Sequence, residues 1–172
     1  MEKKLPSRKR NRLLNFDYST EGAYFITICT QNRRECLCRI VGGDVPDAPP
    51  KTELSFCGKI VDKYIKQINA FYDCLTIDRY VIMPNHVHLI LSVSGNGTSR
   101  TSSPTKQHST VSRLVSALKR FSNKECGFPL WQRSYYDHVI RDVKDYNEIA
   151  DYIETNPANW ESDCMFVEES GM

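Results

Sequence analysis

Two apolar runs separated by one Pro-Asn step constrain this chain more than any other feature. Leu75 to Met83 and His86 to Val93 are rich in apolar and β-branched residues, the composition of strands. Pro84-Asn85 between them is turn chemistry, so the two runs read as a hairpin. The second run begins Pro84-Asn85-His86-Val87-His88-Leu89-Ile90-Leu91. Alternate side chains on a strand share a face, so His86 and His88 point the same way, roughly 6.5 Å apart. Val87, Leu89 and Leu91 point the other way. The segment is a pleated strand with an apolar back and two imidazoles in front.

The rest of the chain supplies strands and helices in mixed order. Gly22 to Thr30 is aromatic and β-branched, a further strand. Val41 to Thr52 carries Gly42, Gly43, Pro46, Pro49 and Pro50 and reads as a loop. Ile60, Val61, Tyr64, Ile65 and Ile68 recur at helical spacing, predicting a helix over about 54–71. Val111, Leu114, Val115 and Leu118 predict another. A last helix runs from Asp142, a capping residue, to about Asn156, where Pro157 stops it. Mixed elements around an antiparallel hairpin favour an α+β sandwich over a doubly wound parallel sheet.

A length of 172 residues suits one domain. Its 40% hydrophobic and 26% charged residues give a globular composition that can bury a core. We expect a basic arm over 1–15, one domain over 16–160 and an acidic tail over 161–172. A linker over 94–109, almost free of large apolar side chains, interrupts the domain. No run approaches the ~20 apolar residues of a membrane span. No apolar run follows the basic N-terminus either, so a secretory signal is not expected and a cytoplasmic location is. The seven cysteines are odd in number and irregularly spaced, against a disulfide framework. Cys36 and Cys38 form a lone C-x-C without the second pair a structural zinc needs.

Charge is unevenly spread. The net charge is only +2, yet from Tyr146 onward there are seven acids and no Lys or Arg. Residues 1–145 therefore hold all 23 basic residues against fourteen acids, a balance of +9. A basic body attracts a polyphosphate, with affinity that falls as salt rises. Candidate phosphate contacts are Arg8, Lys9, Arg10, Arg12, Arg113, Lys119, Arg120 and Arg133, with Lys119 and Arg120 adjacent on one helix.

Two sites carry chemistry. Two neutral imidazoles on one strand face can converge on a divalent metal; the alternative is one histidine at the surface and the other satisfied by a local hydrogen bond. A phosphate-transfer alternative needs a third alternating histidine, and Ile90 stands in its place. On the last helix Tyr146, Ile149, Ala150 and Ile153 form the apolar stripe. Tyr152 falls roughly 110° from its middle, so periodicity does not drive it into the core. Asn156 lies four residues on and projects from the same side. A phenol can attack a phosphodiester and an amide oxygen can complete a metal's ligands; the same pair could simply pack and close the helix.

Three stretches together resemble a known family. They are Tyr80-Val-Ile-Met-Pro-Asn-His-Val-His88, Leu130-Trp-Gln-Arg-Ser-Tyr-Tyr-Asp-His-Val-Ile-Arg141 and Asp151-Tyr-Ile-Glu-Thr-Asn-Pro-Ala-Asn-Trp160. Over about residues 8–160 the chain is similar to the REP-associated tyrosine transposases, among the single-tyrosine HUH transposases of bacterial insertion sequences. The resemblance implies a ferredoxin-like sandwich, with a central antiparallel sheet carrying the histidine strand and helices packed on it. It implies His86, His88 and Asn156 as ligands of Mg²⁺ or Mn²⁺ and Tyr152 as the nucleophile. It further implies cleavage and rejoining of single-stranded DNA near hairpins through a 5′-phosphotyrosine. Trp131 and His138 match recurrent family positions without an assigned chemical step.

Alternatives are a non-catalytic, domesticated protein that binds DNA hairpins and a metal-dependent phosphodiesterase acting on small nucleotides. The expected partner is single-stranded or hairpin DNA, and no membrane. The sequence leaves monomer and homodimer open, and with them whether Tyr152 meets the histidines within one chain.

Overall fold

A computed structural model describes residues 20–42, 50–94 and 109–166. Its principal sheet has four strands: β1 (Gly22–Cys29), β4 (Leu75–Ile82), β5 (His86–Val93) and β6 (Tyr136–Ile140). They lie in the order β4-β5-β1-β6, with every neighbouring pair antiparallel. Helices α1 (Phe56–Phe71) and α2 (Thr110–Cys126) form the two crossovers, and α3 (Val143–Thr155) follows the last strand. Strand, helix, two strands, helix, strand in this spatial order is the ferredoxin-like α+β sandwich that the resemblance implies.

Each helix begins where a short side chain captures an exposed backbone donor. Ser55 accepts from the Gly58 N–H, Ser109 from Ser112 and Asp142 from Asp145. The end of α2 is closed by Gly127 at φ 81°, a left-handed position suited to glycine. Gly58 answers a different need. A Cβ there would lie 2.0 Å from the Leu37 carbonyl oxygen, so only glycine lets the start of α1 meet that segment.

The sheet has an apolar core on each side. Tyr24, Ile26 and Ile28 of β1 and Val87, Leu89 and Leu91 of β5 face α1 and α2 with Val61, Ile65, Leu114 and Leu118. Full burial of such side chains contributes about 1.5–3 kcal/mol each. On the other face Val81, Met83 and Ile90 pack with Ile153 and Trp160. Simple alternation along β4 would send Leu75, Ile77, Val81 and Met83 to one side. A register shift between Ile77 and Arg79 breaks that parity. Leu75 and Ile77 therefore join the α1–α2 core, and Val81 and Met83 join the α3 core.

The structure departs from the sequence reading in three places. The expected loop over 41–52 is flanked by a second, two-stranded sheet of β2 (Cys38–Val41) and β3 (Lys51–Leu54). Strand β6, a short edge segment, carries no run long enough to read. The last α-helix ends at Thr155 with Asn156 as its cap, as expected, but the chain past it turns on in an unforeseen 3-10 element over Asn156–Ser162. The expected domain end at 160 falls inside that turn, and Phe166 beyond it packs with Trp160 on the α3 side. The basic arm, most of the linker and the final acidic residues lie outside the described residues. Among the described residues, no helix is long and apolar enough to cross a membrane.

Candidate active site

The hairpin between β4 and β5 is closed by the Met83 N–H donating to the His86 carbonyl at 2.9 Å. It delivers His86 and His88 to the α3 face, 0% and 2% exposed, with ring centroids 4.3 Å apart. Asn85 fixes the first ring. Its amide nitrogen donates to the Met165 carbonyl at 2.9 Å, which turns its oxygen to His86 Nδ1 at 2.8 Å. An oxygen there accepts, so Nδ1 carries the proton and Nε2 presents a lone pair. Thr27, opposite His88 across the β1–β5 ladder, holds His88 Nδ1 at 2.9 Å. Phe25 stacks on the His88 ring at 5.1 Å, and Trp160 lies 5.9 Å from His86.

Helix α3 brings the other two candidates to the same place. The Tyr152 hydroxyl lies 3.3 Å from His88 Nε2 and donates to Asp163 Oδ2 at 2.8 Å. Asn156, 1% exposed, donates from Nδ2 to the same oxygen at 2.7 Å. Two buried atoms at this site have no partner: His86 Nε2 and Asn156 Oδ1. Buried polar atoms are rarely left so. Ligand atoms of His86, His88 and Asp163 lie within 4.8 Å of one another. Two imidazole nitrogens with oxygen donors beside them fit a Mg²⁺- or Mn²⁺-like cation, and manganese tolerates nitrogen more readily. No thiolate joins the group, so the soft ligands that select zinc are missing from it.

Burial sets the protonation states. It lowers His86 to about 4, with Asp163 opposing and Arg33 adding to the shift, and lowers His88 to about 3, helped by His86. Both imidazoles are therefore neutral near pH 7, the form that ligates. Burial, reinforced by the Asp163 bond, raises Tyr152, so the phenol keeps its proton. Donors from Asn156, Met165 and Tyr152 outweigh burial at Asp163 and hold its carboxyl below the usual range.

Residues 19–156 match the model of a family described as Transposase IS200 like. The chain belongs to the IS200-like transposase family. It is 34% identical over 177 residues to an uncharacterized protein of Haemophilus influenzae, covering 94% of each. It is 27% identical to a REP-associated tyrosine transposase of Escherichia coli K12, over 81% of this chain and 68% of that one. The structure of a REP-associated tyrosine transposase bound to a REP hairpin has the same fold. Its TM-score is 0.61 at 22% identity, over 89% of this chain and 74% of the other.

In this IS200-like transposase the two histidines, Tyr152 and Asn156 share one pocket, within a single chain. The basic candidates are not gathered there. Arg8, Lys9, Arg10 and Arg12 lie outside the described residues. Arg113 and Arg120 project from α2 on the opposite side of the sheet, beside Tyr72 at a cavity of about 420 Å³. Arg120 also lies over the Phe121 ring at 4.7 Å. Arg133 is exposed in the segment before β6.

Lys119 has partners within the fold. Its ammonium donates to the Gln132 and Ser134 carbonyls at 2.7 and 2.8 Å, so it braces α2 rather than facing solvent beside Arg120. Trp131 and His138 also have structural partners. Trp131 donates to Ser122 at 2.7 Å within the α1–α2 core, and His138 contacts Asp145 in the first turn of α3 at 2.9 Å.

The sequence reading missed Asp163, Asn85 and Thr27. Asn85 adjoins the histidine motif and could have been suspected there. Thr27 and Asp163 carry no local signal, because cross-strand pairing and the 3-10 turn bring them in.

Proposed function

We propose that this chain is a metal-dependent DNA transposase that cleaves and rejoins single-stranded DNA near hairpins through Tyr152. The observation that carries the reading is the approach of the Tyr152 hydroxyl to His88 Nε2, in a pocket where His86 Nε2 and Asn156 Oδ1 lack partners. The hairpin in the related structure supports a hairpin substrate here.

His86, His88 and Asn156 would hold the cation. When bound, a divalent cation supplies positive charge that favours the phenolate and offsets charge developing on the phosphate. The residues' own contributions follow from their places. Thr27 and Asn85 orient the imidazoles, and Phe25 and Trp160 keep them dry. Helix α3 carries Tyr152 at the pocket mouth, 39% exposed, where a strand can reach it. Its hydroxyl oxygen bonds to phosphorus as the P–O3′ bond breaks, leaving a 5′-phosphotyrosine and a free 3′-hydroxyl. The ester keeps the bond energy, so a 3′-hydroxyl can later displace Tyr152 and rejoin DNA without a nucleotide cofactor. A groove of about 1120 Å³, lined by Arg39, Pro84, Trp160 and Phe166, lies next to the pocket, with Trp160 shared between them. Arg113, Arg120, Arg133 and the N-terminal basic residues would contact phosphates, in a cytoplasmic protein that associates with the chromosome.

The test is incubation with labelled single-stranded hairpin DNA and Mn²⁺, then a denaturing gel. Wild type gives a protein-bound strand. Tyr152→Phe abolishes it, at least a thousandfold, while hairpin binding survives. An adduct persisting in that variant moves the nucleophile elsewhere, and hairpin binding with no adduct in wild type leaves a binding protein.

A further inference from the structure

We propose that Asp163 is a positioning residue of this site, whose carboxylate turns the Asn156 amide oxygen into the pocket and holds the Tyr152 hydroxyl beside it. The inference rests on the metal-site reading above. It starts from hydrogen-bond chemistry: an ionised carboxylate only accepts. Asp163 Oδ2 lies 2.7 Å from the Asn156 amide, so the group facing it must be the NH₂. The opposite amide orientation would put two acceptors in contact. Asn156 Oδ1 therefore points away from Asp163 and, like His86 Nε2, is buried without a partner.

The carboxylate is itself pinned. Its second oxygen accepts from the Met165 N–H at 2.6 Å. The segment carrying it is fixed by Asn85 donating to the Met165 carbonyl and by Arg33 Nη1 donating to the Cys164 carbonyl at 3.3 Å. Arg33 and Asn32 adopt left-handed backbone at φ 54° and 56°, a costly conformation for non-glycine residues that concentrates at functional sites. The same Oδ2 takes the Tyr152 hydroxyl at 2.8 Å. One oxygen thus sets the distance between nucleophile and ligand. Asp163 lies close enough to His86 and His88 to be a ligand itself, and the test separates the two roles.

Mn²⁺ affinity is measured by calorimetry on the full chain without DNA, with melting of the metal-free proteins as a fold control. Asp163→Ala is expected to weaken binding ten- to hundredfold, the usual cost of losing a residue that orients a ligand. Asp163→Asn could keep an oxygen toward Asn156 and Tyr152 only by setting its NH₂ against the Met165 N–H, so the discriminating comparison is made in an Asn156→Ala background, where adding Asp163→Ala is expected to weaken Mn²⁺ binding no further. In adduct assays at saturating Mn²⁺, Asp163→Ala lowers kcat while KM for hairpin DNA stays within about twofold. Should Asp163→Ala not fold, Asp163→Leu, which keeps the volume and removes the acceptor, replaces it. Unchanged Mn²⁺ affinity in Asp163→Ala makes the residue a strut and overturns the proposal. A further loss of Mn²⁺ affinity on adding Asp163→Ala to Asn156→Ala makes the carboxylate a direct ligand and also overturns it. Unchanged affinity in His86→Ala removes the metal from this pocket, which sinks the functional reading and this proposal with it.

Discussion

His86 and His88 are kept neutral by burial, and that gives the fold an acid sensitivity that can be measured. Their pKa values fall to about 4 and about 3 in the folded chain, below the 6.5 of the unfolded one. Between these values the unfolded state holds more protons than the folded state, so stability is full above pH 6.5 and is lost as pH drops. From pH 7 to pH 5 the expected loss is about 2 kcal/mol for each imidazole. Urea unfolding at the two pH values measures it, and the double change His86→Gln, His88→Gln should remove most of the difference. An identical loss in that variant would assign the sensitivity to other groups. Which residues could ligate was legible in Pro84-Asn85-His86-Val87-His88. The proton on His86 Nδ1 was not, because it depends on Met165 fixing Asn85 from 80 residues away.

At the scale of elements, α3 and α2 show two outcomes of the same periodic reasoning. The stripe of α3 proved correct. Ile153 is buried with Tyr146, Ile149 and Ala150 against it, and Tyr152 stands clear of the stripe. On α2 the apolar stripe was equally clear, but adjacency of Lys119 and Arg120 in sequence does not put them on one surface. Neighbours in a helix point about 100° apart, and Lys119 turns under the helix to the carbonyls before β6 while Arg120 stays outside. Burial lowers Lys119 to about 8 despite those bonds. Lys119→Met should therefore cost about 2 kcal/mol, since it leaves the Gln132 and Ser134 carbonyls without their charged donor. Thermal melting reads this cost, and the salt dependence of DNA binding should not change. A stable variant with a shallower salt dependence would return Lys119 to the phosphate-contacting set. The bulge in β4 had no sequence signal, since alternation through Leu75, Ile77, Val81 and Met83 looks unbroken.

For the whole molecule, the sheet separates two surfaces. The pocket of Tyr152 and the histidines lies on the α3 side, and Arg113 and Arg120 lie on the outer face of α2 across the sheet. If those arginines hold DNA, they grip a part of it distant from the cleaved bond. Arg113→Ala with Arg120→Ala should then weaken hairpin binding and reduce the salt slope by about 1.8, near 0.9 for each phosphate contact. Adduct yield at saturating DNA should stay the same. Titration at several salt concentrations measures the slope, and an unchanged slope would make that surface idle.

The sequence by itself determined the antiparallel hairpin, the shared face of the two histidines, the three helices and the family. The family rests on resemblance across three motif stretches, and the rest follow from nearest-neighbour chemistry or from a period of two or 3.6 residues. Tertiary structure alone decided the inversion within β4, the withdrawal of Lys119 into a brace and the arrival of Asp163 at the pocket. Those depend on where distant segments meet, and a linear pattern carries no record of a contact whose partner lies on another strand or beyond the last helix.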